Sequence, residues 1–429
     1  AGARVVEGRL RAIVSWAGPD RAWLRLSTDP RRRADLHAST ARVGRLIVER
    51  IAPFITGTAA LAAFAANLDP LEIGVLCVSI HAALTCPILA AAGSQYVARA
   101  ILEGLRRGIA FRTADAFDRA GKVSMLAFCA RGTLQLGEPE VADIDAFFGH
   151  RPSDVLSLVA GAESGSQHAV STAILRAARA RGVRPDGTRS PTPQAGLGVT
   201  AVASNGQALV VGSRALMLKE HVSIAAVESR ITALEAMGRS VLLVALGGRL
   251  IGLLGLQDGL RPGARASVQH ALDIGVEPVL LSGDARETCE ALGRALDIDH
   301  IRPEIPPAER GDAIRRLADG GAIVAVVGRS QADEVALSAA DVSIALGAAG
   351  STSSEWNVQL ASDDVRDAAF AIRLAHEARR EARLSLALIL GPAVAFAIVA
   401  GLGLAAPAWS PIGALLGGGV ALVRLRARR

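Results

Sequence analysis

The residues that could do chemistry in this 429-residue chain are few and unevenly placed. Four cysteines, Cys77, Cys86, Cys129 and Cys289, are scattered without a C-x-x-C pair, which argues against a zinc ribbon, a thioredoxin-like motif or a disulfide framework. Lysine occurs only at Lys122 and Lys219, so lysine-dependent catalysis has almost nowhere to sit, and neither residue ends the G-x-x-x-x-G-K run of a P-loop. Cys86 precedes Pro87 within a long apolar run, with His81 about one helical turn away. Thiolate and imidazole suit soft metal ions, and the proline leaves a backbone carbonyl free. One sulfur does not make a transport site, and packing within a helix bundle accounts for His81 equally well. Asp284 closes Ser282-Gly283-Asp284 directly after the strand-like run Gly275 to Leu281. Carboxyl ends of parallel strands are where α/β sheets hold ligands.

The apolar runs that surround these residues point to a membrane. A spanning helix needs about 20 mostly uncharged residues. Ile51 to Leu68 is uncharged, Asp69, Pro70 and Glu72 form a polar turn, and Ile73 to Ala98 is uncharged again. Leu384 to Val423 carries no ionisable residue and breaks near Ala406-Pro407 and Trp409-Ser410-Pro411. These are two expected transmembrane hairpins, since buried core helices seldom run this long without charge. With 51% hydrophobic and 21% charged residues, the chain lies on the apolar side of globular proteins and far from disorder. Arginines flank every span: Arg31 to Arg33, Arg42, Arg45 and Arg50; Arg99, Arg106 and Arg107; Arg379, Arg380 and Arg383; Arg424, Arg426, Arg428 and Arg429. The positive-inside bias makes all these flanks, both termini and the long insert between the hairpins cytoplasmic. The formal net charge of +6 therefore calls for no nucleic acid.

The insert reads as a split α/β domain with another domain inside it. Val123 to Phe128, Gly275 to Leu281, Ala322 to Val327 and Val342 to Leu346 are strand-like, and Arg286 to Leu296 is helical. The stretch between the first two strands is too long for one crossover. It holds helical patterns over Ser153 to Ala160 and His168 to Arg181, then strand-like alternation over Val199 to Val211 and Val241 to Leu246. Residues 1 to 30 alternate like short strands. The opening on Ala1, with no signal-peptide pattern, suggests a start inside a longer unit.

Several collinear stretches resemble the heavy-metal-translocating branch of the P-type ATPases. They are Cys86-Pro87; Asp115-Ala116-Phe117-Asp118-Arg119-Ala120-Gly121-Lys122-Val123; Phe128-Cys129-Ala130-Arg131-Gly132-Thr133-Leu134, against F-D-K-T-G-T-L; Asp258-Gly259-Leu260-Arg261-Pro262, against D-x-L-R-P; and Leu281-Ser282-Gly283-Asp284, against L-T-G-D. Val327-Gly328-Arg329-Ser330-Gln331-Ala332-Asp333 stands where V-G-D-G-x-N-D is usual, and Ala340-Asp341-Val342 follows. The resemblance implies a multi-domain membrane protein. Its parts are α-helical transmembrane hairpins, a haloacid dehalogenase-like, Rossmann-like phosphorylation domain, and an inserted α+β nucleotide-binding domain. The implied organisation is an actuator-like remnant at 1–45, a hairpin at 46–100, phosphorylation-like parts at 101–137 and 249–370, a nucleotide-binding-like domain at 138–248, and a hairpin with a basic tail at 371–429. Relative to the family, two spans, most of the actuator domain with its T-G-E loop, and any amino-terminal metal-binding module are absent, so a fragment or a reduced gene is expected.

The departures from the pattern fall on the chemistry. Aspartyl phosphate formation needs an attacking carboxylate, with magnesium and a lysine against the developing charge. By resemblance, Cys129 occupies the nucleophile position, Ala130 replaces the lysine and Arg329 replaces a magnesium-binding aspartate. Thr133, Asp284 and Asp333 are retained, and Arg310 takes the place of the phosphate-facing lysine. A thiolate offers magnesium no hard oxygen, and a buried, inert Cys129 fits better than a reactive one. Glu163, Ser166, His168, Gly196 and Gly198 occupy the family's adenine-pocket positions. His168 could stack on a purine, but it and the glycines also read locally as a helix start and a turn. Cys86 and His81 are the metal candidates. The expectation is a pseudo-ATPase with a nucleotide-sensing or scaffold role, weak ATP binding and doubtful magnesium. Its partners would be the bilayer and, in one reading, a second membrane chain. The alternatives are a cation-transporter subunit completed by other spans and a membrane-tethered phosphohydrolase.

Overall fold

The computed structural model describes residues 34–427 apart from 86, 195, 331, 348–355 and 402–408. The expected β-rich stretch over residues 1 to 30, Cys86, the Ala406-Pro407 break and the arginines at 31–33 and 428–429 lie outside the described residues. The chain divides into two compact units. One comprises Ala1–Val123, Ala348–Ser362 and Phe370–Arg429; the other comprises Ser124–Gly347 and Asp363–Ala369.

In the second unit five parallel strands run side by side in the order Val342–Leu346, Val324–Arg329, Met125–Cys129, Glu277–Leu281, His300–Arg302. Met125–Cys129 is central, with Phe128 opposite Val327 on one side and Leu280 on the other. Such strands are covered on both faces and read as continuous apolar runs rather than alternations. Leu126, Ala127 and Phe128 are fully buried. Val342–Leu346 and the helix Arg286–Leu296 coincide with the sequence expectation. The strand expected from Gly275 begins at Glu277, because Gly275 sits at φ +73° just past the helix Ala264–Asp273 and ends it in a left-handed turn.

A six-stranded antiparallel sheet is inserted after Met125–Cys129. Its order is Glu140–Ala146, Arg249–Gln257, Ser240–Leu246, Ala208–Gly212, Gly198–Val202, Arg189–Gln194. Pro191 and Pro193 stand in the edge strand, where a missing N–H costs least. Val155, Leu156 and Ile174, from the helices Pro152–Ala162 and Ala169–Ala180, pack against Leu209 and Leu254 on one face. Leu216, Ile231 and Leu234 pack against Leu243 and Leu253 on the other. The boundary expected at residue 248 falls inside this sheet. Gly247 and Gly248, both at positive φ, form the two-residue turn of a hairpin, and its second strand runs to Gln257. A glycine pair that looks like a linker is here the tip of a β-ribbon.

In the first unit, Asp35–Ala65 and Pro70–Arg106 are long and apolar enough to cross a membrane. Four such spans were expected. The second pair corresponds to the helix Arg366–Gly401, uncharged from Leu384 onward and continuous through Pro392, and to Trp409–Ala427. The apolar stretch Pro411–Arg424 in the last helix is shorter than a full crossing at about 1.5 Å per residue. Helices meet through small residues: Ala83 packs with Ala393 and Ala414, and a Cβ on Gly413 or Gly417 would strike the carbonyls of Pro392 or Leu388. Phe54, Phe64, Leu71 and Val78 stay 70–79% exposed. Ile109–Phe111 pairs antiparallel with Val358–Leu360 in the same unit.

Candidate functional site

The carboxyl ends of the parallel strands gather the residues singled out by chemistry. Cys129 ends the central strand and is 1% exposed, with the Asp333 carboxylate and Arg310 close enough to act on its charge. Burial first, then the adjacent negative charge of Asp333, pushes its titration well above the ordinary thiol range. The chain then turns through Ala130–Leu134, with Gly132 at φ +80°. A side chain at Gly132 would be strained and would crowd the Arg329 Cδ. Thr133 is fully buried, and its hydroxyl has no hydrogen-bond partner.

Asp333, 3% exposed, is held from both sides. Arg310 Nη1 donates to Oδ1 at 2.6 Å, and the Arg329 backbone N–H donates to Oδ2 at 2.9 Å. Gly328 leaves the space that Asp333 fills, since a Cβ there would stand 2.8 Å from the Asp333 Cβ. The Arg329 side chain points elsewhere, with Nη2 3.9 Å from Asp363. Arg329 thus meets Asp333 through its backbone N–H and directs its guanidinium toward Asp363.

Asp284 is the second carboxylate. Its Oδ1 accepts from Arg131 Nη2 at 3.1 Å and from the Ser240 hydroxyl at 2.8 Å, while Oδ2 accepts from the Ser282 hydroxyl at 2.8 Å. Arg131 also reaches the Ser240 hydroxyl at 3.4 Å. Asp258 caps the backbone N–H groups of Gly137 and Glu138, and burial raises its titration. Arg261 Nη2 donates to the Gly132 carbonyl at 2.9 Å. Magnesium would have to displace Arg310 from Asp333 and Arg131 from Asp284, so these residues do not fit that ion.

Ser240 was not singled out in the sequence. It opens a strand of the antiparallel sheet and meets Asp284 across 44 positions. No local signal marks it. Neighbouring Arg239 pairs with Asp143, and its carbonyl accepts from the Thr288 hydroxyl.

The expected adenine-pocket residues fall into two places. The Ser171 hydroxyl contacts Glu163 Oε2 at 2.5 Å and the Ser166 hydroxyl at 2.8 Å, joining those two. His168 is exposed and caps the next helix, its Nδ1 accepting from the Val170 N–H at 3.3 Å. Gly196, at φ +72°, lies near Pro306 and Pro307. Gly198, at φ +144°, faces Gly212 across the sheet, and a Cβ there would strike the Val211 carbonyl. Its missing side chain makes room for strand pairing. His81 is exposed, with Nδ1 3.4 Å from the Thr56 hydroxyl. Among the described residues no three His, Cys, Asp or Glu side chains are grouped to hold a metal.

Comparison with known proteins places this architecture. Residues 126–341 match the family described as haloacid dehalogenase-like hydrolase. A copper-transporting P-type ATPase of Rhizobium leguminosarum bv. viciae is 30% identical over 367 residues, 84% of this chain and 43% of that protein. The crystal structure of a zinc-transporting PIB-type ATPase in its E2.Pi state superposes with a TM-score of 0.57 at 23% identity, covering 90% of this chain and 61% of the other. The catalytic domain of a CPx-ATPase, studied for conformational changes upon nucleotide binding, gives a TM-score of 0.50 at 22% identity over 64% of this chain and 98% of the domain. The chain spans less than half the length of the curated relatives it matches.

Proposed function

We propose, from the premise that this chain belongs to the haloacid dehalogenase-like hydrolase family and is homologous to heavy-metal P-type ATPases, that it is a pseudo-ATPase. It sits in a bilayer, forms no aspartyl phosphate, and acts as a nucleotide-sensing or scaffold protein. One observation carries the reading. At the strand end where a carboxylate would attack the terminal phosphate of ATP, the chain presents Cys129, a thiol 1% exposed whose titration burial and then Asp333 push up. A thiol in this state is neither a nucleophile nor a magnesium ligand. Arg310 and Arg131 already neutralise the retained carboxylates Asp333 and Asp284. The chain's own guanidinium groups thereby supply positive charge where the active family relies on an ion.

Membrane insertion is supported by the two long apolar helices and by their large exposed side chains. Phe54 and Phe64, more than 70% exposed, would face water at a cost of about 2 kcal/mol each, a cost that lipid removes. Weak, magnesium-independent ATP binding by the antiparallel-sheet domain is supported by the surface of exposed Ser166 and His168 beside half-buried Glu163. The copper and zinc of the relatives are not assigned to this chain, because Cys86 and His81 alone offer too few soft ligands. The deciding experiment incubates the detergent-solubilised chain with labelled ATP and magnesium and quenches it in acid. No label is expected on the protein; an acid-stable, hydroxylamine-sensitive phosphoenzyme overturns the proposal.

A further inference from the structure

Packing in the first unit brings arginines from separate helices to one level. Gly44 lies against the Leu89 backbone, and Gly93 against the Thr40 and Ala41 backbone. The Tyr96 hydroxyl meets the Ser385 hydroxyl at 2.6 Å, and Arg424 forms a bidentate pair with Glu381 at 3.0 and 3.3 Å. These contacts set Arg42 and Arg45 beside the turns from Leu89 to Tyr96, and Arg380 and Arg383 next to Ser385. At about 1.5 Å per residue, Arg45 and Arg42 stand roughly 30 to 35 Å from the far end of the unbroken helical run Ser39–Ala65. A hydrocarbon layer is about 30 Å thick, and the headgroups extend it by several ångströms on each side. The four arginines therefore stand where one layer of headgroups would lie.

Arg42, Arg45, Arg380 and Arg383 are exposed and form no ion pair among the described residues. Two nearby acidic groups are already engaged, and among the described residues no ion pair joins Arg45 to Glu49, one helical turn further on. Glu381 is bound by Arg424, and Asp118 accepts from the Ser39 and Thr40 N–H groups and the Thr40 hydroxyl. Arg379 donates to the Gly121 carbonyl, and its ionisation is lowered by burial and then by Arg383, with Asp118 opposing the shift.

We infer that this ring, centred on Arg42, Arg45, Arg380 and Arg383, is a binding surface for the phosphate headgroups of anionic phospholipids. It rests on the membrane reading above and adds a choice of lipid to it. Guanidinium groups match phosphate oxygens in a two-pronged geometry, and an uncompensated ring gains most where the bilayer surface is negative. The expected contribution is about fivefold in affinity per arginine at low salt.

The test presents the full chain, in neutral detergent, with equal amounts of phosphatidylglycerol and phosphatidylcholine, and weighs the lipid adducts by native mass spectrometry. Phosphatidylglycerol adducts should exceed phosphatidylcholine adducts by about tenfold or more. R42Q/R45Q/R380Q/R383Q should bring the ratio near unity, and the corresponding fourfold Arg→Lys variant should keep most of it, which controls for misfolding. Equal adducts on the unaltered chain, or a preference untouched by the glutamine variant, overturn the inference. So does loss of the preference on adding inorganic phosphate, which would assign the site to the free ion. Flotation with pure phosphatidylcholine vesicles after carbonate washing reads membrane insertion separately. Loss of flotation sinks the membrane reading as well, whereas retained flotation with equal adducts sinks only the lipid preference.

Discussion

The strand ends around Cys129 and the surface around His168 differ in opposite ways from what their residues advertise. At the strand ends the reactive residue types have been exchanged, yet the geometry is dense: Cys129 and Asp333 are almost fully buried, and both carboxylates are held by arginines. Around His168 the residue types are largely kept, yet each has a local structural job. Glu163 and Ser166 bond to Ser171, His168 caps a helix, and Gly198 admits a neighbouring strand. A retained residue type is thus weaker testimony to a site than a retained network. In this chain the dense network lies at the strand ends, built from Asp333, Asp284, Arg310 and Arg131.

The sharpest attack on that contrast is to restore the lost residue types. C129D alone should still give no acid-stable phosphoenzyme, because Arg310 and Arg131 continue to occupy the carboxylates. C129D/A130K/R131T/R310K/R329D, which returns nucleophile, lysine and metal ligand together and removes both guanidinium groups, is the variant in which label should first appear. Label on the single variant would show that the arginines are no obstacle.

Next in size is the buried pair. Arg310→Ala leaves the Asp333 carboxylate, 2% exposed, without its cation and should destabilise the chain by about 3–5 kcal/mol, read as a shift in the urea midpoint. Arg131→Ala removes a partner that is 32% exposed, so solvent screening holds its effect to about 1 kcal/mol. Equal losses would erase the distinction between a buried lock and a half-open one.

The thiols predict a pH dependence of definite sign. Cys129 is raised well above 9.0, and Cys289 is raised to about 12 by burial and then by Asp284. Above pH 9 the unfolded chain releases these protons while the folded chain keeps them, so stability must fall between pH 9 and about 12. The slope is up to about 1.4 kcal/mol per pH unit per thiol. C129A/C289A should flatten that limb in pH-dependent denaturation; an unchanged limb would mean that the thiols are not held protonated.

The smallest effect is at the surface. His168→Ala should cost about 0.5–1 kcal/mol through loss of the helix cap, and His168→Asn should restore most of it. If alanine weakens ATP binding and asparagine does not rescue it, the ring itself meets nucleotide. Parallel rescue of stability and binding would reduce His168 to a cap.

The sequence by itself determined much of this protein. Apolar runs, arginine flanks and the collinear order of short motifs specified the helices, the parallel sheet and the family. These signals are local, or depend only on period and order. Val342–Leu346 is legible because a strand buried on both faces must be apolar throughout. The tertiary structure alone decided how charges are matched. Arg131 finds Asp284 across 153 positions and Arg310 finds Asp333 across 23, while Ser240 enters from another sheet. It also decided that Gly247-Gly248 is a hairpin tip and that Gly198 serves a neighbouring strand. Pairing between distant residues leaves no trace in spacing, because the contact is made by the folded backbone and either partner, read alone, is an ordinary polar side chain.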